Sequence, residues 1–427
     1  MSNQAKVVTR VLGEELEKFE ADNICLRQSK VKRMGGEIGH RSEFTEWYDA
    51  PYISTTTDGL DLTGGFNETT GLAVPHRVST YTSVPFKLTN TDTLDSDELS
   101  RKMRSAMQAI DNRINRAVAN TVVNQGSQFV GRTAALSGFA DIAAVDALLC
   151  SQDVSQTTDK TMILNPTDYN AMAADLAVRQ TVRNGDISTN AYQKALVQEI
   201  AAMKVFKTSF APVKAAAAGG GAITVTGAQS YTPQGATIDT EGNPTNVDNR
   251  SMNLTVSATA NVVVGDKFTI AGVNAMSLQN KNDTGELRTF TVNAVVDGTT
   301  LQISPPIIDA TAVGNTTAAQ AQRDYGNCSD VAAGGAAITF VNYDTAGTNL
   351  FWENDSLCIN TAPVVGSQET LGGMILMNAT TELGLNVVVA KQGSINDLST
   401  DWRVTTFFGV TMRDPLKAGI LMGGQTP

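Results

Sequence analysis

Residues 215–221 read Ala-Ala-Ala-Ala-Gly-Gly-Gly and divide the chain into two kinds of sequence. Ahead of them, apolar residues recur at helical spacing. Behind them that period is lost, and short β-forming runs take over at Ile223–Val225, Leu254–Ala258, Lys267–Ile270, Phe290–Val296 and Leu301–Ile303. The Asp297-Gly298 pair between the last two runs is a type I′ hairpin signal. Strands this short, separated by turn residues, predict a small β-barrel or sandwich. After Phe351-Trp352 a mixed pattern returns, with β-like runs at Leu385–Ala390 and Val404–Val410. An all-β module over residues 222–345 therefore interrupts an α+β domain. Such an insertion is tolerated where it enters and leaves at a surface loop with close ends, and the small-residue segment reads as a flexible linker into it.

The flanking sequence supplies the helices. From Ala5 to Phe19, Val8, Val11, Leu12, Leu16 and Phe19 make the apolar face of an amphipathic helix. Between Trp47 and Leu88, turn signals and alternating β formers predict a long two-stranded excursion that needs a neighbour to lie on. Asp95 then stands at an N-cap position with Glu98 three residues on. Leu99, Met103, Ala106, Ile110, Ile114, Ala117 and Thr121 mark one face of a helix of about seven turns, roughly 40 Å long. Arg101, Lys102, Arg104, Arg113 and Arg116 occupy the rest of its surface, either as a solvated face or as a contact for an acidic partner or nucleic acid. Short helices near Ala140–Cys150 and Pro166–Val178 and a buried strand at Met162–Leu164 complete this part.

Charge narrows the function. Against 32 Lys and Arg stand 43 Asp and Glu, a net −11 that excludes a dedicated nucleic-acid binder, because phosphate neutralisation needs surplus cations. Residues 222–345 alone hold 11 acidic and 5 basic residues, over half of that net charge. Cys25, Cys150, Cys328 and Cys358 form no CxxC pair, so free buried thiols are expected rather than a zinc site or a disulfide framework. With neither a signal segment nor an apolar run long enough for a membrane, the chain is expected in the cytoplasm when made, with no membrane partner. No phosphate-binding, nucleophile-elbow, zinc-protease or dinucleotide motif occurs. His40 and His76 stand in polar, loop-like sequence without paired carboxylates. Asp239, Glu241, Asp248 and Asp283 lack calcium-loop spacing. No catalytic, cofactor-binding or metal-binding residue is expected, and the chain is not expected to be an enzyme.

Several stretches carry a family resemblance through their collinear order. They are Gly59-Leu60-Asp61-Leu62-Thr63, Asn165-Pro166-Thr167-Asp168-Tyr169, Ile223 through Ser230, Asn246-Val247-Asp248-Asn249-Arg250, Gly265-Asp266-Lys267, Val295 through Thr299, Phe351-Trp352, Leu385-Asn386, Gln392-Gly393, Gly409-Val410 and Gly424-Gln425-Thr426. In these the chain resembles the major capsid (coat) proteins of short-tailed, Salmonella-type enterobacterial phages. The resemblance implies the Johnson, or Hong-Kong-type, capsid fold, an α+β subunit with an inserted β-barrel called the telokin-like or I-domain. It implies an N-terminal arm over 1–43, an E-loop over 44–90, and a peripheral domain over 91–135 whose spine helix runs from Asp95 to about Gln125. The axial domain would begin at 136–221, the insertion span 222–345, and the axial and peripheral remainder follow at 346–427. It further implies self-assembly into pentamers and hexamers of an icosahedral procapsid, with scaffolding and portal proteins as partners. Double-stranded DNA would be enclosed by weak contact only, in a virion capsid built in the host bacterial cytoplasm. A loop of the inserted domain would reach between capsomers through ion pairs, here Ile238–Arg250 with Asp239, Glu241, Asp248 and Arg250. The basic helix side, Arg101, Arg104, Arg113 and Arg116, is a second candidate interface. Two alternatives share features: an encapsulin-like shell has the same fold, and a secreted surface-layer or adhesin-like protein has the same Thr, Asn and Gly richness. The inserted acidic barrel and the C-terminal stretches favour the phage coat over the first, and the absent signal and long capped helix weigh against the second.

Overall fold

The computed structural model describes residues 11–34 except 12, 17 and 20–22, then 44–50, 70–89, 96–178, 197–218 except 198, 222–362 except 243 and 315, 375–394 and 399–426. The chain forms two compact units, one built from residues up to 46, 75–118 and 357–411, the other from 47–74, 119–356 and 412 onward.

In the first unit a six-stranded sheet runs Lys30–Arg33, Leu357–Thr361, Ser399–Met412, Asn386–Ser394, Ile375–Thr380, with Thr80–Thr89 also paired to Ser399–Met412. Val387 to Ala390 are all buried, a continuous apolar run of the kind that marks a strand covered on both faces. The expected two-stranded excursion ends earlier than its sequence pattern. Thr80–Thr89 lies antiparallel in the sheet from Thr80 opposite Phe408 to Thr89 opposite Ser399, while Phe44–Asp49 pairs with Ala73–Val78. Residues 51–69, with the turn signals, lie outside the described residues, as do Asp95 and His40.

The long helix, Ser96–Gln125, has 30 residues. Leu99, Met103, Ala106, Met107, Ile110, Ile114 and Val118 are buried along it at the three-and-four spacing of one helical face. Against its first half lies the N-terminal helical stretch, described at 13–16 and 18–19, with Val11, Leu16 and Phe19 buried. His76 is not in a loop: it is buried on the strand Ala73–Val78, its Nδ1 2.7 Å from Asn360 Oδ1. The alternation of Val74, His76 and Val78 puts all three on the buried face of that strand.

The second unit is centred on a five-stranded sheet ordered Gln128–Gly131, Ala418–Met422, Asn349–Glu353, Lys160–Leu164, Met203–Lys207. Phe139–Ser151 and Pro166–Val178 cover it, placing Ile142, Val145, Leu149, Tyr169 and Met172 in one core with Met162, Leu164, Phe351 and Leu421. Between Met203–Lys207 and Asn349–Glu353 comes the inserted module. Its five strands run Met252–Thr255, Thr300–Ser304, Asp283–Val295, Lys267–Met276, Ile338–Phe340. Residues 223–226 close the sheet on itself by pairing with both edges. Thr226 N donates to Thr255 O on one side, and Ile223 O accepts from Ile338 N on the other. Phe268, Phe290, Ile270, Val292, Leu254, Leu301 and Ile303 fill the interior.

Three features of the module differ from expectation. The Asp297-Gly298 hairpin forms, but neither residue has the positive φ of a type I′ turn. Asp297 Oδ1 instead accepts from Thr299 N at 2.8 Å, a side-chain turn that needs no left-handed residue. A nine-residue helix, Thr317–Tyr325, interrupts the strands. Its buried side, Ala319, Ala321, Asp324 and Tyr325, is too small and mixed to show as an apolar stripe. Finally, the described part of the supposed flexible linker is tied down. Val213–Lys214 pairs with Ala346–Gly347, Ala217 N donates to Asn342 O, and Ala216 N donates to Thr345 Oγ1. Entry and exit strands thus clasp each other, which is the geometry an insertion needs. No disulfide joins the four cysteines; Cys25, Cys328 and Cys358 are buried, whereas Cys150 is exposed.

Candidate functional site

The loop of residues 238–250 divides into a tip and a base. At the tip, Thr237–Ile238 and Pro244–Thr245 form a two-stranded ladder, and Asp239 Oδ1 accepts from Glu241 N at 2.9 Å, which shapes the turn. Asp239 and Glu241 are exposed, and beside them Ile238 is 77% exposed, an unusual position for a large apolar side chain. At the base the charges turn inward. Arg250 grips Asp248 through both carboxylate oxygens, Nε to Oδ1 at 2.8 Å and Nη2 to Oδ2 at 2.6 Å, while Nη1 donates to Met412 O at 2.6 Å. Burial raises the Asp248 carboxyl, but the hydrogen bonds and charge of Arg250 outweigh it and hold the group below its ordinary range. Asp248 and Arg250 therefore fasten the loop within the subunit, and only Asp239 and Glu241, of the four, present charge at the tip.

The helix arginines divide in the same way. Arg104 Nε and Nη2 bond Glu15 at 3.1 and 3.0 Å, and Lys18 Nζ reaches the same carboxylate at 3.2 Å. Glu15 is buried, so this cluster pins the N-terminal helical stretch to the long helix. Arg101 is drawn to Glu98 at 3.6 Å one turn back. Arg113 and Arg116 are exposed with no ion pair among the described residues.

Sequence reasoning missed the polarity of the module as a whole. All five of its cations bond inside the protein: Arg250 as above, Lys267 to Val123 O, Lys281 to Asp324 O, Arg288 to Gln152 Oε1, and Arg323 to Ala312 O. None of the five is exposed, whereas Asp239, Glu241, Asp283, Glu286, Asp297, Asp330 and Asp344 are. Nothing in the spacing of these residues announces which charges turn inward, because apart from the Asp248 carboxylate beside Arg250 the partners are backbone carbonyls and amide side chains.

The model of the family described as P22 coat protein, gene protein 5, matches residues 1–424. The chain belongs to the P22 coat protein family. Its fold is accordingly the Hong-Kong-type capsid fold with an inserted β module, and it is a major capsid protein that forms an icosahedral shell as part of the virion. Among solved structures, the chain is similar to the I-domain of the CUS-3 coat protein, at 38% identity over 28% of this chain and 96% of that one, TM-score 0.23. It is also similar to the capsid of cyanophage P-SCSP1u, at 9% identity over 93% of this chain and 87% of that one, TM-score 0.43. A third similarity is to a virus-like particle from Pyrococcus furiosus, at 8% identity over 96% of this chain and 98% of that one, TM-score 0.39. In a coat protein the sites that matter are surfaces, and among the described residues the loop tip, the exposed helix arginines and the exposed carboxylates of the module are candidates.

Proposed function

We propose that this coat protein assembles with a scaffolding protein into a procapsid of pentamers and hexamers, which joins a portal protein, matures and encloses double-stranded DNA, all in the host bacterial cytoplasm. In that scheme residues 1–43 act as an arm, 44–90 as an E-loop, 91–135 as the peripheral domain, 136–221 with 346–427 as the axial domain and peripheral remainder, and 222–345 as the insertion. The observation that supports this best is the one sign of the module's exposed charges. Seven exposed carboxylates without an exposed cation repel nucleic acid and suit the outer side of a container. The tip, with Asp239 and Glu241 beside exposed Ile238, reaches toward a basic surface of a neighbouring capsomer. Arg113 and Arg116 make a weak contact with packaged DNA or with an acidic neighbour. Two partners separate by their needs: an Arg113→Glu variant that destabilises DNA-free shells identifies the protein neighbour.

Electron microscopy of the purified protein, with and without co-expressed scaffolding protein, tests the scheme. Closed shells of uniform size only in the presence of scaffold are expected. Uniform closed shells from the coat protein alone would overturn the scaffold requirement.

A further inference from the structure

Lys267 opens the strand Lys267–Met276 of the inserted module, and its side chain is completely buried. Its ammonium has three protons and meets three oxygens: Val123 O at 2.9 Å, Thr291 Oγ1 at 2.7 Å, and Gly126 O. Thr291 Oγ1 in turn donates to Gly126 O at 2.8 Å. Val123 lies in the last turn of the helix Ser96–Gln125 and Gly126 directly follows it. Carbonyls at a helix C-terminus lack partners inside the helix and carry its negative end. Lys267 supplies both the missing hydrogen bonds and the opposite charge. No carboxylate takes a bond from it among the described residues. The nearby Asp266 is engaged by Lys214 Nζ at 2.9 Å. Burial, and then the charge of Lys214, pull the Lys267 pKa well down, with Asp266 opposing, so keeping an ammonium here is costly.

The backbone on both sides is shaped for the contact. Gly265 has φ +85°, and a Cβ there would lie 2.7 Å from Asn124 Oδ1. A Cβ on Gly126 would lie 2.7 Å from Val122 O. Past Gly126 the chain enters the five-stranded sheet: Ser127 N donates to Pro415 O at 2.9 Å and Gln128 Nε2 to Leu416 O at 2.9 Å. Lys281 offers an internal comparison. Its Nζ donates to Asp324 O and Gly326 O, at the end of the short helix within the module itself. Lys267, in contrast to Lys281, carries this type of contact out to the end of a helix that the module does not contain, with Thr291 beside it on Gly126 O.

We propose that Lys267 is the positioning residue through which the inserted module fixes the end of the long helix, so that the last helical turn and the 126–128 connection stay ordered only while the module is docked.

Hydrogen exchange of the full-length protein, read by mass spectrometry, tests this with three variants. In Lys267→Met, which keeps the aliphatic stem, amides of residues 119–128 should exchange at least tenfold faster, while those of 268–270 and 290–292 in the barrel core stay protected. In Lys281→Met, residues 119–128 should be unchanged. Wild-type protection of 119–128 in Lys267→Met would overturn the proposal. So would equal loss across 119–128 and the barrel core, since Lys267 would then hold only the module's own fold. If Lys267→Met does not fold, Thr291→Val decides, because it removes one acceptor of the ammonium and one donor to Gly126. Faster exchange confined to 119–128 supports the proposal there, and unchanged exchange overturns it.

Discussion

Glu15 shows what one buried carboxylate does for a terminal segment. Burial alone raises its pKa, but the hydrogen bonds and charges of Arg104 and Lys18 bring the net value below ordinary. A carboxyl whose folded pKa is depressed adds stability above its unfolded value, here 4.5, and loses it as the pH falls through the folded value. The N-terminal helical stretch should therefore hold to the long helix at neutral pH and loosen below about pH 4. Limited proteolysis with an acid-active protease across a pH series measures this, the expected early cut falling within residues 11–19. In Arg104→Met the same cut should appear at neutral pH with a neutral protease. Full resistance of that variant would mean that Val11, Leu16 and Phe19 hold the stretch by apolar packing alone. Sequence periodicity gave the apolar face of this helix, but not the pairing of Glu15 with Arg104, 89 residues away. Nor could it tell that His76 sits on a buried strand face, because a six-residue strand with Pro and His in it scores as loop until its neighbours are known.

At the scale of elements, the helices were legible and the edges of strands were not. The long helix and Pro166–Val178 fall where the apolar spacing puts them, since a 3.6-residue period sustained over several turns is hard to produce by accident. The strand pairings were hidden because they depend on distant partners. Ser399–Met412 shows the point. A Cβ at Gly409 would collide with the Arg77 carbonyl, a backbone atom that cannot move aside cheaply. Gly409→Ala is expected to cost about 3 kcal/mol, the upper part of the overpacking range, and to lower soluble yield at 37 °C more than at 20 °C. A yield and a denaturation midpoint equal to wild type would show that the two strands can separate at no cost. The barrel offers the opposite experiment. Phe268 and Phe290 are fully buried with ring centroids 5.7 Å apart, and Phe268→Ala should cost about 3–5 kcal/mol. Because the barrel has its own closed core, the loss should appear in exchange protection of residues 252–340 before that of 160–164 and 349–353. Simultaneous loss in both sets would mean that module and sheet fold as one cooperative body.

For the whole molecule, the net charge of −11 looked at first like a property of the chain, yet its arrangement decides its meaning. The inserted module engages all five of its cations internally and leaves none of them exposed, while seven of its carboxylates are exposed. Such a surface disfavours nucleic acid, while the remaining 303 residues, net −5, include the exposed Arg113 and Arg116. The split within the 238–250 loop gives a test that separates assembly from folding. Asp239 and Glu241 are exposed at the tip, and each ion pair such a group makes with a neighbour is worth about 0–1 kcal/mol, a small term that symmetry repeats over the shell. Asp248 and Arg250 are bound to each other, and Arg250 also donates to Met412 O. Reversal of charge in Asp239→Lys or Glu241→Lys should lower the fraction of protein sedimenting as closed shells, and Glu241→Lys should do so with the subunit's melting midpoint unchanged. Raising the salt concentration should weaken wild-type assembly in the same direction, because exposed pairs are screened. Arg250→Met should instead lower the melting midpoint of the unassembled subunit, since it takes the guanidinium donors from the Asp248 carboxylate and the Met412 carbonyl. Sedimentation velocity with a thermal melt of the same samples reads both effects. Normal shell yield and heat resistance in both tip reversals would remove the loop from the contacts between capsomers.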